Sequence, residues 1–177
     1  WDTAGAGSTT AALMAGGFPG TMANVEYWNG TAWTEVNNVN TARIKHGGCG
    51  TSTLGLIWGG LISPAPPERV GGETEEWDGT SWSEVADLSV DRRNPGAAEG
   101  SQSAALFGGG ENAAGAKVAT TEEWSFGGIA PDAPAVGYSE SIVGDIYYNS
   151  GTGEFKAIKE GVGSWSSGTN LGSASAG

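Results

Sequence analysis

Apolar positions in this chain come in short runs, and a pair of glycines closes each one: Ala12-Leu13-Met14-Ala15-Gly16-Gly17, Gly55-Leu56-Ile57-Trp58-Gly59-Gly60 and Ala105-Leu106-Phe107-Gly108-Gly109-Gly110. The first leucine of the run recurs at Leu13, Leu56 and Leu106, at intervals of 43 and 50 residues. Trp28-Asn-Gly-Thr-Ala-Trp33-Thr-Glu-Val follows the first run and returns 49 residues later as Trp77-Asp-Gly-Thr-Ser-Trp82-Ser-Glu-Val. Thr74-Glu75-Glu76-Trp77 returns 47 residues on as Thr121-Glu122-Glu123-Trp124. A fixed period near 50 residues is the mark of a propeller or repeat array.

Each unit predicts four short strands, so the fold class is all-β. In the second unit they run over 43–50, 53–60, 74–78 and 81–85, rich in Val, Thr and aromatics and bounded by Gly, Pro and Asn. Asn29-Gly30 and Asp78-Gly79 supply the positive φ angles of a tight hairpin between the last two strands. The glycine doublets let the second strand turn or approach a neighbour closely, so those strands are expected to end at Gly17, Gly60 and Gly110. The Trp and Leu positions are expected to fill the space between stacked sheets, with Trp33 and Trp82 in equivalent, largely buried sites.

An apolar strand ending in Gly-Gly, an aromatic strand and then a Trp strand, at roughly 50 residues per unit, resembles the kelch repeat. The residues carrying the likeness are Gly16, Gly17, Gly59, Gly60, Gly109 and Gly110; Tyr27-Trp28, Trp77 and Trp124; and Trp33 and Trp82. Arg43 and His46 sit where kelch repeats often carry such residues. The likeness covers residues 1–126 and implies β-propeller blades. The Gly/Thr/Ser-rich strand Gly48-Cys49-Gly50-Thr51-Ser52-Thr53 is closer to the kelch-like repeats of marine bacteriophage tail-fibre and virion-appendage proteins than to animal kelch proteins.

The remainder of the chain resembles the same appendage proteins. Val143 to Ile158 reads as strand, turn and strand, similar to the short Gly-x-Ile-Tyr-Tyr-Asn…Phe-Lys hairpin module of phage fibres. Trp165 precedes Leu171 by six residues, as Trp82 precedes Leu88 and Trp33 precedes Val39, so Trp165 is expected to open another fourth strand. Residues 127–160 are then a linker and hairpin inserted in the third unit, or a module between arrays, and 161–177 a further blade strand with a Gly/Ser/Ala-rich end. Gly5 to Thr10 aligns with Gly48 to Thr53, so the chain opens inside a unit. Three units are few for a ring of 4–8 blades. A fragment, or one protomer of an oligomeric ring, is expected.

Composition narrows the partners. Glycine supplies 32 of 177 residues and falls at repeat-specific places, which argues against helix and against general disorder. The formal charge of −12 repels phosphate backbones, so no nucleic-acid partner is expected. No segment has the length of apolar sequence that membrane insertion requires. The single cysteine, Cys49, excludes an intrachain disulfide and reads as a small core residue of the innermost strand.

Catalytic readings fare poorly, and no enzyme activity is expected. His46 is the sole histidine, and no serine stands on a Gly-x-Ser-x-Gly elbow. No His or Cys pair has metal-ligand spacing, and one His with one Cys cannot build the copper site of galactose-oxidase-type kelch enzymes, so no cofactor is expected. Glu75-Glu76 and Glu122-Glu123 invite a glycosidase reading, but they recur at one repeat position with Glu26. A structural role at an edge or turn fits that recurrence better.

Irregular loops carry function more often than repeated strands. The connections after the second strands (18–23, 61–72 and 111–119) and after the fourth strands (37–40 and 86–91) are expected on one face. Trp58 breaks the repeat, because Ala15 and Gly108 hold the matching places. The candidate ligand face is therefore Trp58, Pro64, Pro67, Glu68, Arg69, Asn38 and Asn112, while Trp28, Trp33, Trp77, Trp82, Trp124 and Trp165 are structural. The resemblance implies a structural tail-fibre-like protein on the virion surface, assembling with its own copies or other appendage proteins and recognising a host-surface glycan. A bacterial extracellular adhesion module is the alternative, and a polysaccharide hydrolase the weakest reading.

Overall fold

The computed structural model describes residues 2–63, 69–96, 99–126, 146–149, 154–157 and 163–167, and among these every regular element is a β-strand. The first sheet is β1 (Ala4–Gly7), β2 (Ala12–Ala15), β3 (Val25–Trp28) and β4 (Trp33–Val36), antiparallel in that order. The second holds β5 (Gly47–Gly50), β6 (Gly55–Trp58), β9 (Thr74–Trp77) and β10 (Trp82–Val85), with the small ribbon β7 (Leu61–Ser63) and β8 (Arg69–Val70) rising between β6 and β9. The third holds β11 (Glu99–Ser101), β12 (Ala104–Gly108), β13 (Thr121–Phe126) and β16 (Gly163–Ser167). A separate two-stranded ribbon joins β14 (Ile146–Asn149) to β15 (Glu154–Ala157). Three successive four-stranded antiparallel sheets of equal topology are the arrangement of a β-propeller-like fold.

Register carries the repeat. Trp28 pairs with Trp33 and Trp77 with Trp82, each pair closing the hairpin between the last two strands of its sheet, and Trp124 pairs with Trp165 across β13 and β16. The two rings of each pair lie 5.2–5.4 Å apart, close enough to add to their burial. The inner tryptophan also pins the opposite hairpin: Trp28, Trp77 and Trp124 Nε1 donate to the carbonyls of Thr9, Ser52 and Gln102.

The turns differ from the sequence expectation in detail. Gly30 and Gly79 take φ of 91° and 95°, but Asn29 and Asp78 do not share the positive φ. They act through their side chains. Asn29 Oδ1 accepts from the amides of Thr31 and Ala32, and Asp78 Oδ1 from those of Thr80 and Ser81. The strands before the glycine doublets end at Ala15, Trp58 and Gly108, earlier than expected. The doublets then turn: Gly59 and Gly60 take φ of 65° and 106°, and a Cβ would meet a connection carbonyl at 2.7 Å in each case, Arg92 O after β10 for Gly59 and Ile44 O before β5 for Gly60. Only glycine fits that approach.

The core lies between the sheets. One cluster joins Leu13, Ala15 and Val25 of the first sheet to Ile57, Trp77 and Trp82 of the second. The next joins Cys49, Leu56 and Trp58 of the second to Ala105, Phe107 and Trp124 of the third. Each sheet thus presents a leucine to the sheet that follows it and an aromatic wall to the sheet before it. Trp82 is 7% exposed, as expected, but Trp33 is 47% exposed, against expectation. The local pattern at the two tryptophans is the same. Trp82 has the first sheet against it, whereas among the described residues no sheet packs on the side of Trp33. Leu106 is 49% exposed for the matching reason on the far side of the third sheet, although its counterparts Leu13 and Leu56 are buried.

Candidate functional site

The connections between sheets converge on one side, where they hydrogen-bond to the turns after the glycine doublets. Gly17 N donates to Arg43 O and Gly60 N to Arg92 O. Met22 bridges Arg43, Ile44 bridges Leu61, and Arg93 bridges Glu111. The connections after the second and fourth strands therefore form one continuous face, with Ile44, Leu61 and Val70 as a small apolar cluster beneath it.

Two arginines anchor this face, a role that the sequence reading did not assign. Arg43 is fully buried and reaches from the connection before β5 into the second sheet. Its Nη2 pairs with Glu75 Oε1 at 2.6 Å, Nη1 donates to the carbonyls of Gly59 and Glu73, and Nε to that of Thr41. The Glu75 carboxylate in turn accepts from the amides of Asn40 and Thr41, fixing the connection that carries its own partner. Arg92 repeats the arrangement in the third sheet with Glu122 at 2.7 Å, the carbonyls of Gly109, Thr120 and Val90, and the Thr120 hydroxyl. Ser89 N donates to Glu122. Burial lowers the pKa of both guanidiniums, and the adjacent carboxylate opposes that shift. Of the paired acids expected at an edge or turn, Glu76 is half-buried and Glu123 exposed, while Glu75 and Glu122 are buried structural anchors. Their signal was present in the sequence as a co-repeating pair, Arg43 with Glu75 at a separation of 32 and Arg92 with Glu122 at 30.

Above these anchors the face is polar and varies from sheet to sheet. Arg69 is exposed and pairs with Glu73. Asp91 lies close by, its carboxyl raised by partial burial and by the Glu73 charge. Around the third sheet, Glu111 bridges Arg93 at 3.4 Å and Lys117 at 2.7 Å. Lys117, with Arg93 adding to it, holds the Glu111 carboxyl below its ordinary range. Asn112 Oδ1 caps its own loop by accepting from the amides of Ala114 and Ala116. Asn38 is exposed beside buried Val39. Arg69, Asn38 and Asn112 thus stand on the connections of this face, while Pro64, Pro67 and Glu68 lie outside the described residues.

Trp58 does not belong to the ligand face. It is fully buried, its ring 5.4 Å from Phe107 and 5.3 Å from Trp165. As the last residue of β6 it points to the third sheet, where the repeat places small residues, and there it fills the interface. Its departure from the repeat serves packing. Gly47 is its complement, since a Cβ there would meet the indole at 2.6 Å.

His46 closes the inner end of the same connection. It is 7% exposed, neither ring nitrogen makes a well-formed hydrogen bond, and it borders a cavity of about 220 Å³ shared with Thr3, Gly5, Gly48 and Pro95. Burial, and then the Arg43 charge, push its pKa down to about 3, with a weak opposing influence from the Ala15 backbone. At neutral pH it is a neutral imidazole. Among the described residues, the cavity lining includes Thr3 but no Asp or Glu. Cys49 is buried in β5, and burial raises its thiol to about 11, which leaves it a core residue as expected. Among the described residues, no group of His, Cys, Asp and Glu is placed to hold a metal ion, and no helix is long and apolar enough to cross a membrane.

No protein-family pattern and no curated protein sequence matches the chain. Solved structures do match it, 107 chains in all, a breadth that speaks to architecture rather than to activity. One of them, described as the structure of YjhT, superposes with a TM-score of 0.60 at 15% identity, covering 70% of this chain. The chain spans less than half of that structure, 42% of its length, and at this level of identity what the two share is the fold.

Proposed function

We propose that this chain is a segment of a kelch-like β-propeller that works as a non-catalytic display and binding module, of the kind found in tail-fibre-like virion appendages, and that its connection face contacts a host-surface glycan. The observation that carries this reading is the division of labour between buried and exposed polar groups. The acids that recur in every unit, which a hydrolase would need free, are committed to buried arginines in the second and third sheets. On the irregular connections, exposed Arg69, Asn38 and Lys117 and half-buried Asn112 differ from unit to unit on a shared base. A repeated frame with non-repeated loops is how propellers and solenoids separate stability from recognition.

The net charge of −12 favours a neutral or cationic ligand over a polyanion. A glycan array tests the reading by comparing the intact chain with two variants. In one, residues 64–68 are replaced by a short Gly-Ser linker that spares the buried Leu61 and Val70; the other is Arg69→Ala. Binding by the parent that both changes weaken is the expected result. Binding that neither alters would move the site elsewhere, and no binding to any glycan would leave an architectural protein.

A further inference from the structure

The first sheet carries on its outer side a surface that the second and third sheets keep covered. Met14 is half-buried, where its counterparts Ile57 and Phe107 are 4% and 1% exposed. Trp28 is half-buried and Trp33 open, where Trp77, Trp124 and Trp82 are all buried. The same face holds two carboxylates: Glu26 and, directly across from it in β4, Glu35, which accepts from Asn24 Nδ2 at 2.7 Å. Glu26 pairs across the sheet with Met14, just as Glu75 pairs with Ile57 and Glu122 with Phe107. Glu75 and Glu122 are buried and bound to arginine, while Glu26 is exposed and has no ion pair among the described residues.

We propose that this face is a docking surface for another four-stranded sheet of the same design, and that the connection leaving that sheet sets an arginine on Glu26. The apolar half of the argument follows the existing interfaces, where Leu13 meets Ile57, Trp77 and Trp82. The charged half identifies the partner. In both complete interfaces the connection reads apolar-x-x-x-Arg, as Val39 to Arg43 and Leu88 to Arg92, with the apolar residue in the intersheet core. A second copy of this chain meets only the apolar half. It can offer exposed Leu106, but all four of its arginines are engaged, with Glu75, Glu122, Glu73 and Glu111. In the stretch after β16, Ser175 stands four residues past Leu171, where the other connections have arginine. The occupant is therefore a sheet whose connection has an arginine to give.

The test supplies that sheet. Copying residues 44–92 directly ahead of Trp1 puts the copied Arg92 seven residues before Gly7, the spacing of Arg43 to Gly50. Thermal unfolding is compared for this chimera, for Arg92→Met in the copied segment, for Glu26→Gln and for both together. The expected result is a fall of several degrees in Tm for either change, no further fall for the pair, and no effect of Glu26→Gln on the parent chain. Additive losses, or an equal loss in the parent, overturn the proposal.

A second measurement does not depend on the chimera folding. A peptide of residues 37–46, bearing Arg43, is titrated into the full chain while the indole N–H signals are followed by NMR. Shifts at Trp28 and Trp33 that vanish with the Arg43→Gln peptide and with the Glu26→Gln chain support the docking; unmoved signals refute it. Self-association of the chain that shields Trp33 from acrylamide and is indifferent to Glu26→Gln would make a second copy the occupant, and would also overturn the proposal.

Discussion

Replacing Arg43 by methionine tests whether the buried ion pairs hold the connections to the sheets. The guanidinium has no exposed surface, and its partner carboxylate is 1% exposed. Arg43→Met keeps the aliphatic volume but leaves the Glu75 carboxylate buried without its countercharge. It also strips a donor from the carbonyls of Thr41, Gly59 and Glu73. Removing one member of a buried pair costs about 3–5 kcal/mol, a large part of the roughly 5–15 kcal/mol that separates folded from unfolded domains. The amides of Asn40 and Thr41 still solvate Glu75, which argues for the lower half of that range. Glu26→Gln in the first sheet is the matched control: the same repeat position, exposed and without an ion pair among the described residues, with a change of no more than about 0.5 kcal/mol expected. Equilibrium urea unfolding is the assay, followed by tryptophan fluorescence and far-UV circular dichroism together, since coincident transitions license the free energies. Arg43→Met combined with Glu75→Gln should cost less than the sum of the two single changes by about 0.5–3 kcal/mol. A loss below about 1 kcal/mol for Arg43→Met, the scale of a surface pair, together with strict additivity, would refute the anchoring role.

Three further outcomes follow from the same geometry. Trp82→Ala and Trp58→Ala should each cost roughly 3–5 kcal/mol in the urea assay, and Trp33→Ala only about 1 kcal/mol, the value of its stacking on Trp28; equal losses at Trp33 and Trp82 would contradict the open outer face. His46 titrates near 6.5 when unfolded and near 3 when folded, so between those values the unfolded state binds the extra proton. Its contribution is therefore complete above about pH 6.5 and falls as the pH drops toward 3, by up to about 1.4 kcal/mol per unit. His46→Phe should flatten that part of the pH-stability curve, and an unchanged slope would show that the histidine is not buried neutral. Cys49 should react with a thiol reagent only at the rate of global or subglobal opening, so prompt labelling in the native protein would place it at the surface.

Sequence alone determined the parts of this protein that are local and periodic. Strand pairing within each sheet was legible because short apolar runs, Asn-Gly and Asp-Gly turns and paired tryptophans specify hairpins over a few residues, and their recurrence specifies that the sheets are alike. The wide separation of Trp165 from β13 was bridged by the same periodicity: Trp165 lies in a fourth strand, Gly163–Ser167, that pairs with β13. What only the tertiary structure decided is what each repeated residue faces. Trp33 and Trp82 sit in near-identical local sequence, yet burial depends on whether another sheet lies against them, and a period cannot report that. Trp58 looked like a site residue because it breaks the repeat, but a break in pattern is equally the mark of a gap filled between two sheets, and only the positions of Phe107, Trp165 and Gly47 distinguish the two. The acids were read as edge or turn residues because they recur at one repeat position, and nothing local links Glu75 to Arg43, 32 residues before it. Folding brings them within 2.6 Å and makes a recurring pair of charges into the joint between one sheet and the next.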